Sequence, residues 1–226
     1  MILNETAKTE LSLKYKGPDL KGTIRIGTYD SIALYFFPRF LKYLKFSHPR
    51  LSIELITDRS QRFFEELKND DLDLGVIIER EADSDIPYQT IYSDTFGFYQ
   101  SGGEERRYFD HLIYFSDTLP SPKLIRVAIK SLGLSNDIRP DNLETVRGLT
   151  ERGLGIGFLP HRVARDLVLS GILRPVRRKD LGDHYFPHNI KLYRSRKTKS
   201  SITHDLIEEE LKRYLVSWSE TLKASF

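Results

Sequence analysis

The sequence predicts a bilobal α/β protein, and three observations support this fold class. The chain has 226 residues, which suits one large domain or two small ones. Patterns typical of strands and helices alternate along most of its length, as in parallel sheets with helical crossovers. Residues 72–78 are nearly all apolar, which is typical of a strand buried on both faces of such a sheet.

The first half alternates strand and helix patterns. Residues 23–27 alternate in hydrophobicity as a strand does. Asp30 and Ser31 are capping residue types that predict the start of a helix. Pro38 lies inside this helical pattern and should kink it. The later elements predicted for this half are a strand at 51–57, a helix at 61–69 and a strand at 72–78.

The second half repeats the alternation less regularly. Its predicted strands are 111–115, 137–139, 155–159, 173–176 and 190–193, and its predicted helices are 121–132, 143–151, 160–169 and 202–218. The two halves join near residues 95–110. We therefore predict residues 1–22 as an arm or linker remnant, 23–95 with about 190–226 as subdomain I, and about 96–189 as subdomain II.

Composition and charge exclude several classes of protein. The chain is 39% hydrophobic, so it can build a core, and its formal net charge of +3 is too small to indicate nucleic-acid binding. The absence of cysteine excludes disulfides, thiolate metal sites and a cysteine nucleophile. No apolar run approaches the ~20 residues of a membrane-spanning helix. Charged residues interrupt the N-terminal region where a signal peptide would be apolar, so we expect a cytoplasmic protein without membrane contact.

Three segments in order resemble the effector-binding domain of LysR-type transcriptional regulators. They are residues 21–27, followed by a helix containing Phe37-Pro38 and ending at His48-Pro49; residues 72–77; and the glycine-rich residues 146–160. The resemblance implies a type II periplasmic-binding-protein-like fold, in which two α/β subdomains are joined by two crossover strands. It also implies a small-molecule effector in the cleft between the subdomains. DNA would be contacted only through a winged helix-turn-helix module, for which this sequence contains no segment.

The candidate ligand-binding residues of subdomain I follow its predicted strands, where open α/β sheets bind ligands. The resemblance places Tyr29 and Ser31 at positions that hold an effector, and it places Ser60 at another. Gln61 beside it can both donate and accept hydrogen bonds. The alternative for these turns is that their polar residues only cap the following helices. Asp30 would repel an anionic ligand unless its carboxylate is turned away.

Subdomain II offers four further candidates. Asp117 and Thr118 follow one predicted strand, Asn142 opens the next helix, and Phe158 ends the glycine-rich strand, where it could wall the cleft. The resemblance implies an effector with an anionic group such as a carboxylate. Because acidic residues follow strands in both subdomains, a zwitterion or a polyol is the alternative to a purely anionic effector.

The first helix is more apolar than one core-facing stripe requires, which favours a homodimer. Its candidate interface residues are Tyr35, Phe36, Phe40 and Tyr43. A solute-binding protein of the same fold is the alternative function. An enzyme is not expected, since no nucleophile or phosphate-binding motif is present, and Asp30 with Asp117 is the pair to examine for catalysis. No cofactor or metal is expected, although His184 and His188 have a metal-like spacing.

Overall fold

The computed structural model describes residues 20–58, 62–78, 86–103, 110–118, 122–177, 186–196 and 201–223. Its elements, in chain order, are β1 Gly22–Thr28, α1 Asp30–Tyr35, α2 Phe37–Ser47, β2 Leu51–Thr57, α3 Arg62–Lys68, β3 Leu74–Ile78, β4 Tyr88–Ser101, β5 His111–Ile113, a 3-10 helix Ser116–Thr118, α4 Pro122–Leu132, β6 Asn136–Ile138, α5 Leu143–Glu151, β7 Ile156–Pro160, α6 His161–Leu169, β8 Leu173–Pro175, β9 Phe186–Arg194 and α7 Ile202–Lys223. The predicted α/β class is therefore confirmed. Most of the predicted N-terminal arm lies outside the described residues.

The chain divides into two compact units. Unit 1 comprises Met1–Ile91 and Lys191–Val216, and unit 2 comprises Tyr92–Ile190 and Ser217–Phe226. The division falls within β4, within β9 and a third time within α7, so the two strands and the last helix carry the chain between the units.

Unit 1 is built on parallel strands in the order β2-β1-β3, with β9 beside β3. The pairing of β1 with β2 runs from Gly22 opposite Leu51 to Thr28 opposite Thr57. β3 is buried along nearly its whole length, as its apolar sequence predicts. At Gly27 an added Cβ would lie 2.6 Å from Leu72 Cδ1 and 2.8 Å from Phe63 Cδ1, so any side chain there would displace these two core residues beneath β1.

The first helical segment differs from its prediction. The sequence predicts one helix kinked at Pro38, whereas the structure has two helices, α1 and α2, that meet at Phe36. Pro38 lies in the first turn of α2. A proline is tolerated in that turn because the backbone N–H it lacks would have no partner within the helix. Pro38 therefore lies at the start of a second helix instead of kinking a single one.

Two of the residues predicted at a dimer interface are instead part of the core of unit 1. Phe36 and Phe40 are buried, and the ring of Tyr214 from α7 packs against both, at 5.6 and 5.5 Å between centroids. The prediction failed because α7, which is distant in sequence, covers this side of α2. Tyr43 stacks on the same tyrosine, and its hydroxyl donates to Glu210. Tyr35 is half-buried.

Unit 2 contains the strand order β4-β7-β5-β6, with β8 also paired to β4. β5 is parallel to β6 and β7, while β4 is antiparallel to β7 with Phe96 opposite Pro160. An aromatic core fills this unit. Phe158 lies at its centre, with ring centroids 4.9 Å from Phe96, 5.1 Å from Phe98 and 5.6 Å from Phe186.

Candidate ligand-binding site

In unit 1 the turn after β1 contains Tyr29, Asp30 and Ser31, which the sequence predicts either to face the ligand or to cap the following helix. Thr28, just before it, is fully buried, and its hydroxyl donates to the carbonyl of Val76 at 2.6 Å, which ties the end of β1 to β3. The helix begins at Asp30, so Tyr29 occupies the N-cap position and makes no side-chain cap. The alternative in which Asp30 or Ser31 is the N-cap residue of this helix is therefore not realised.

Tyr29 and Ser31 both lie at the carboxyl end of β1. The ring of Tyr29 is half-buried and lies 6.1 Å from that of Phe63. Ser31 is only 6% exposed. Hydrogen bonds hold the backbone of the turn, since Ile32 and Ala33 both donate to the carbonyl of Tyr29 at 2.9 Å.

The second predicted turn of unit 1 lies mostly outside the described residues. Ser60 and Gln61 belong to that part of the chain. Asp58, which directly follows β2, donates its backbone N–H to the carbonyl of Thr28 at 3.3 Å. The ends of β1 and β2 are therefore adjacent, as the predicted parallel sheet requires.

In unit 2 the predicted polar residues have local partners. Asn142 caps α5, because its Oδ1 accepts from the backbone N–H of Thr145 at 2.7 Å. The hydroxyl of Thr118 donates to the carbonyl of Phe115 at 2.8 Å. Asn142 therefore serves as the N-cap residue of α5, while Asp117 is exposed on the 3-10 helix.

Phe158, predicted to wall a cleft, has no exposed surface in unit 2. Its ring is enclosed by the aromatic core described above, so in this structure it is a core residue. The reason is that β7 is an inner strand of the sheet, between β4 and β5.

Unit 2 contains a buried ionic cluster that the sequence did not predict, formed by Asp94, Arg162 and His188. The guanidinium of Arg162 donates from Nη1 to Asp94 Oδ2 at 2.6 Å and to His188 Nε2 at 2.8 Å. Asp94 also accepts the backbone N–H of Thr95 at 2.8 Å. The side chains of Asp94 and Arg162 are essentially inaccessible to solvent. The cluster joins β4, α6 and β9 within this unit.

His188 is neutral in this cluster. An arginine can only donate, so Nε2 of His188 must be the accepting nitrogen. Burial lowers the pKa of His188 to about 4, and the nearby positive charge of Arg162 acts in the same direction. With Arg162 bound this closely, the imidazole is not arranged as a metal ligand, and His184 lies outside the described residues. Within the described part of the chain, no group of three or more His, Asp or Glu side chains could hold a metal ion.

Two more ionisable side chains belong to the surroundings of the cluster. Burial raises the pKa of Tyr92, and the charge of Asp94 raises it further, so this phenol stays protonated. Nδ1 of His161 and the hydroxyl of Thr95 are hydrogen-bonded at 2.8 Å. Burial lowers the pKa of His161.

One sequence signal could have revealed the cluster. Asp94, Phe96 and Phe98 are alternate residues of β4, so their side chains lie on the same face of the strand. The side chains of Phe96 and Phe98 on this face are buried. An acidic residue on the buried phase of an alternating strand requires a cationic partner. The sequence alone does not say which of the many arginines provides it.

The comparisons with known proteins agree on one family. The model of the LysR substrate binding domain matches residues 18–215 of the chain. No curated protein sequence matches it significantly.

Within the described ranges, none of the helices is both long and apolar enough to cross a bilayer.

Several solved structures share the fold at low sequence identity. The reduced form of the OxyR2 regulatory domain from Vibrio vulnificus is 16% identical with a TM-score of 0.64, covering 88% of this chain and 99% of that one. CrgA from Neisseria meningitidis, a LysR-type transcriptional regulator, is 14% identical with a TM-score of 0.69, covering 95% and 75%. A mutant form of the HypT regulatory domain from Salmonella typhimurium is 16% identical with a TM-score of 0.65, covering 85% and 98%.

Proposed function

The chain belongs to the LysR substrate-binding domain family, and from this premise we propose that it senses a small-molecule effector at the turn after β1 of unit 1. The family is one of regulatory domains and not a class of enzymes. The resemblance found in the sequence and the type II periplasmic-binding-protein-like fold that it implied are confirmed. The chain is accordingly an effector-sensing regulatory domain of the LysR type, and the residues that bind the effector are the subject of the proposal.

The placement of Ser31 carries this proposal. Ser31 is buried at the carboxyl end of a parallel strand, beside the half-buried Tyr29. Ligands of open α/β sheets bind at this end of the strands. The helix that follows begins at Asp30 with Tyr29 as its N-cap residue, so Ser31 lies in the first turn of this helix, directly beyond the end of β1.

The chemistry of the turn favours a ligand that both donates and accepts hydrogen bonds. The hydroxyls of Ser31 and Tyr29 can each donate and accept. Asp30, half-buried in the first turn of α1, adds a carboxylate that only accepts. A zwitterion or a polyol satisfies both kinds of group, whereas a plain carboxylate would be repelled by Asp30. We therefore rank the zwitterion and the polyol above the carboxylate.

The decisive experiment compares effector binding by two serine variants. A panel of amino acids, polyols and carboxylates is screened by thermal shift, and the affinity for the best stabiliser is measured by calorimetry. Ser31→Ala should weaken binding by about 5- to 10-fold, the usual effect of losing one neutral hydrogen bond. Ser52→Ala, an exposed serine of β2 in the same unit, is the matched control and should bind normally.

Two results would contradict the proposal. Equal affinity in Ser31→Ala and wild type would remove the turn from the ligand site. A fall in melting temperature in Ser31→Ala without any change in affinity would make Ser31 a structural residue only.

The dimer is a separate part of the proposal, and it now rests on different side chains. The exposed large apolar residues of α1, α2 and the edge strand β2 are Leu34, Phe46 and Ile56, and Phe46 is 63% exposed. We propose that these three side chains contact a second copy of the chain. Phe46→Glu should weaken the dimer in sedimentation experiments while the melting temperature of the monomer is unchanged. A wild-type chain that stays monomeric at high concentration would contradict it.

A further inference from the structure

Helix α6 of unit 2 buries two arginines on one face. Arg162 is 2% exposed and Arg165 is 9% exposed. The two are three residues apart, so their side chains leave the helix on the same side. The apolar residues of this helix that are also buried are Val163, Ala164 and Leu167. Guanidinium groups are almost never this buried unless each has a carboxylate or another anion as partner.

The available carboxylates do not balance these two charges. Asp94 is engaged by Arg162 at 2.6 Å. Within the described ranges, the only carboxylate in ion-pair contact with Arg165 is Asp166, the next residue in the chain, at 3.3 Å. The side chain of Asp166 is 64% exposed, so water screens its charge and it compensates the buried guanidinium only in part.

The guanidinium of Arg165 also has one buried donor that no acceptor among the described residues satisfies. Its Nε is shielded from solvent and has no hydrogen-bond partner among the residues that the structure describes. A buried donor left unsatisfied costs about 1–3 kcal/mol, and more when the group is charged. Arg165 is thus a buried cation. Among the described residues, its one carboxylate partner is the exposed Asp166, and its Nε–H has no acceptor.

The neutral groups nearby do not supply the missing negative charge. His188 is an uncharged acceptor, already used by Arg162. Tyr92 remains protonated, and the positive charges of both Arg162 and Arg165 act on its hydroxyl, which places all three side chains within electrostatic range of one another. Among the described residues around this face of α6, two buried positive charges thus meet one buried negative charge. An uncompensated buried charge is costly, and an anion from solution would relieve that cost.

We propose that unit 2 binds a small oxyanion at Arg165. The guanidinium presents a planar fork of N–H donors that matches the paired oxygens of a carboxylate, sulfate or phosphate group. The anion is either a free inorganic ion or the acidic group of an organic molecule. This site goes beyond the proposed function, since it involves no residue of the turn after β1.

The test measures anion binding and stability together at constant ionic strength. Wild type, Arg165→Gln and Arg126→Gln are compared in chloride, sulfate, phosphate and acetate at pH 7.5, by thermal unfolding and by calorimetric titration. Arg126 is an exposed arginine of α4 in the same unit, so Arg126→Gln controls for net charge. Its response also corrects for the general stabilisation that sulfate and phosphate give to any folded protein.

We expect saturable binding of at least one oxyanion by wild type and by Arg126→Gln. Arg165→Gln should weaken this binding by about tenfold or more, as for the loss of a charged donor. In chloride alone, Arg165→Gln should be at least as stable as wild type, because it removes the uncompensated charge. Preference for sulfate or phosphate over acetate would indicate an inorganic ion or a phosphorylated ligand, and preference for acetate would indicate a carboxylate group.

Identical anion responses in all three proteins would overturn the inference, and so would the absence of saturable binding in wild type. Arg165→Lys covers the case in which Arg165→Gln does not fold. This variant keeps the charge and loses the planar fork, so it should fold and bind the oxyanion several-fold more weakly. Equal binding by Arg165→Lys and wild type would contradict the bidentate geometry. Ser31→Ala should bind the oxyanion normally, which separates this site from the proposed effector turn.

Discussion

The end of β1 in unit 1 and the cluster of unit 2 bury different kinds of polar group. At the end of β1 the buried polar groups are the neutral hydroxyls of Thr28 and Ser31, and Thr28 is held by a backbone carbonyl of the neighbouring strand. In the cluster of unit 2 the buried groups of Asp94 and Arg162 are charged and in direct contact. A neutral hydroxyl can exchange one partner for another at little cost, whereas a buried ion that loses its partner is strongly destabilised. Unit 1 is therefore suited to accept a changing ligand, and the cluster of unit 2 is suited to hold strands in one arrangement.

The largest test of this contrast removes one charge of the cluster. Asp94→Asn leaves Arg162 buried without its counter-ion and should lower the free energy of unfolding by about 3–5 kcal/mol. Urea denaturation followed by circular dichroism measures the loss. The double variant Asp94→Leu with Arg162→Met removes both charges and should recover most of it, because hydrophobic replacement of a buried pair is often neutral. A change below about 1 kcal/mol in Asp94→Asn would show that the pair contributes no more than an exposed one.

A second test asks whether unit 1 depends on apolar packing where unit 2 depends on charge. Phe40→Ala removes a fully buried ring that packs on Tyr214, and it should cost about 3–5 kcal/mol. Phe46→Ala, on the exposed side of the same helix, should change the stability by no more than about 0.5 kcal/mol at a protein concentration at which the chain is monomeric. Equal effects of the two substitutions, measured in the same urea assay, would contradict the assignment of Phe40 to the core.

The third test uses pH and isolates His188 of unit 2 by comparing the wild type with a His188 variant. Because the pKa of folded His188 is about 4 and its ordinary value is 6.5, the unfolded chain binds a proton that the folded chain does not. Stability should therefore fall as the pH drops through 6.5 and stop falling on this account below about 4. The full loss is about 3 kcal/mol. His188→Gln should flatten this part of the profile, and an unchanged slope in the variant would assign the pH dependence to other groups.

The smallest expected effect is in unit 1. Thr28→Val keeps the shape of the side chain and removes the hydroxyl that donates to Val76, so it should cost about 1 kcal/mol. Thermal unfolding at neutral pH resolves a change of this size. A loss as large as that of Asp94→Asn would remove the distinction between the two units.

The elements of unit 1 could be predicted because their signals are local. The alternation of 23–27, the capping residue types at Asp30 and Ser31 and the apolar run before residue 78 each lie within one short window. The corresponding strands and helices are all present. The division at Phe36 was not predicted, because a proline fits both inside a kinked helix and in the first turn of a new one.

The ionic cluster could not be predicted because its partners are far apart in sequence. Asp94 and Arg162 are 68 residues apart, and Arg162 and His188 are 26 apart. Only the pairing of β4 with β7, which brings Phe96 opposite Pro160, places Asp94 beside the start of α6. The same limit applies to Phe36 and Phe40, whose exposure depends on α7 from the other end of the chain.

The interrupted course of unit 1 has a consequence for how the protein is made. Its second segment begins at Lys191, after all of Tyr92–Ile190 has been added to the chain. At ~5–20 residues per second the ribosome needs roughly 5–20 s for that interval. Throughout it, β3 has no β9 beside it, and the aromatic side chains of α2 lack the covering ring of Tyr214. The nascent first half thus presents an open strand edge and an uncovered aromatic face, which are features that chaperones on the ribosome bind.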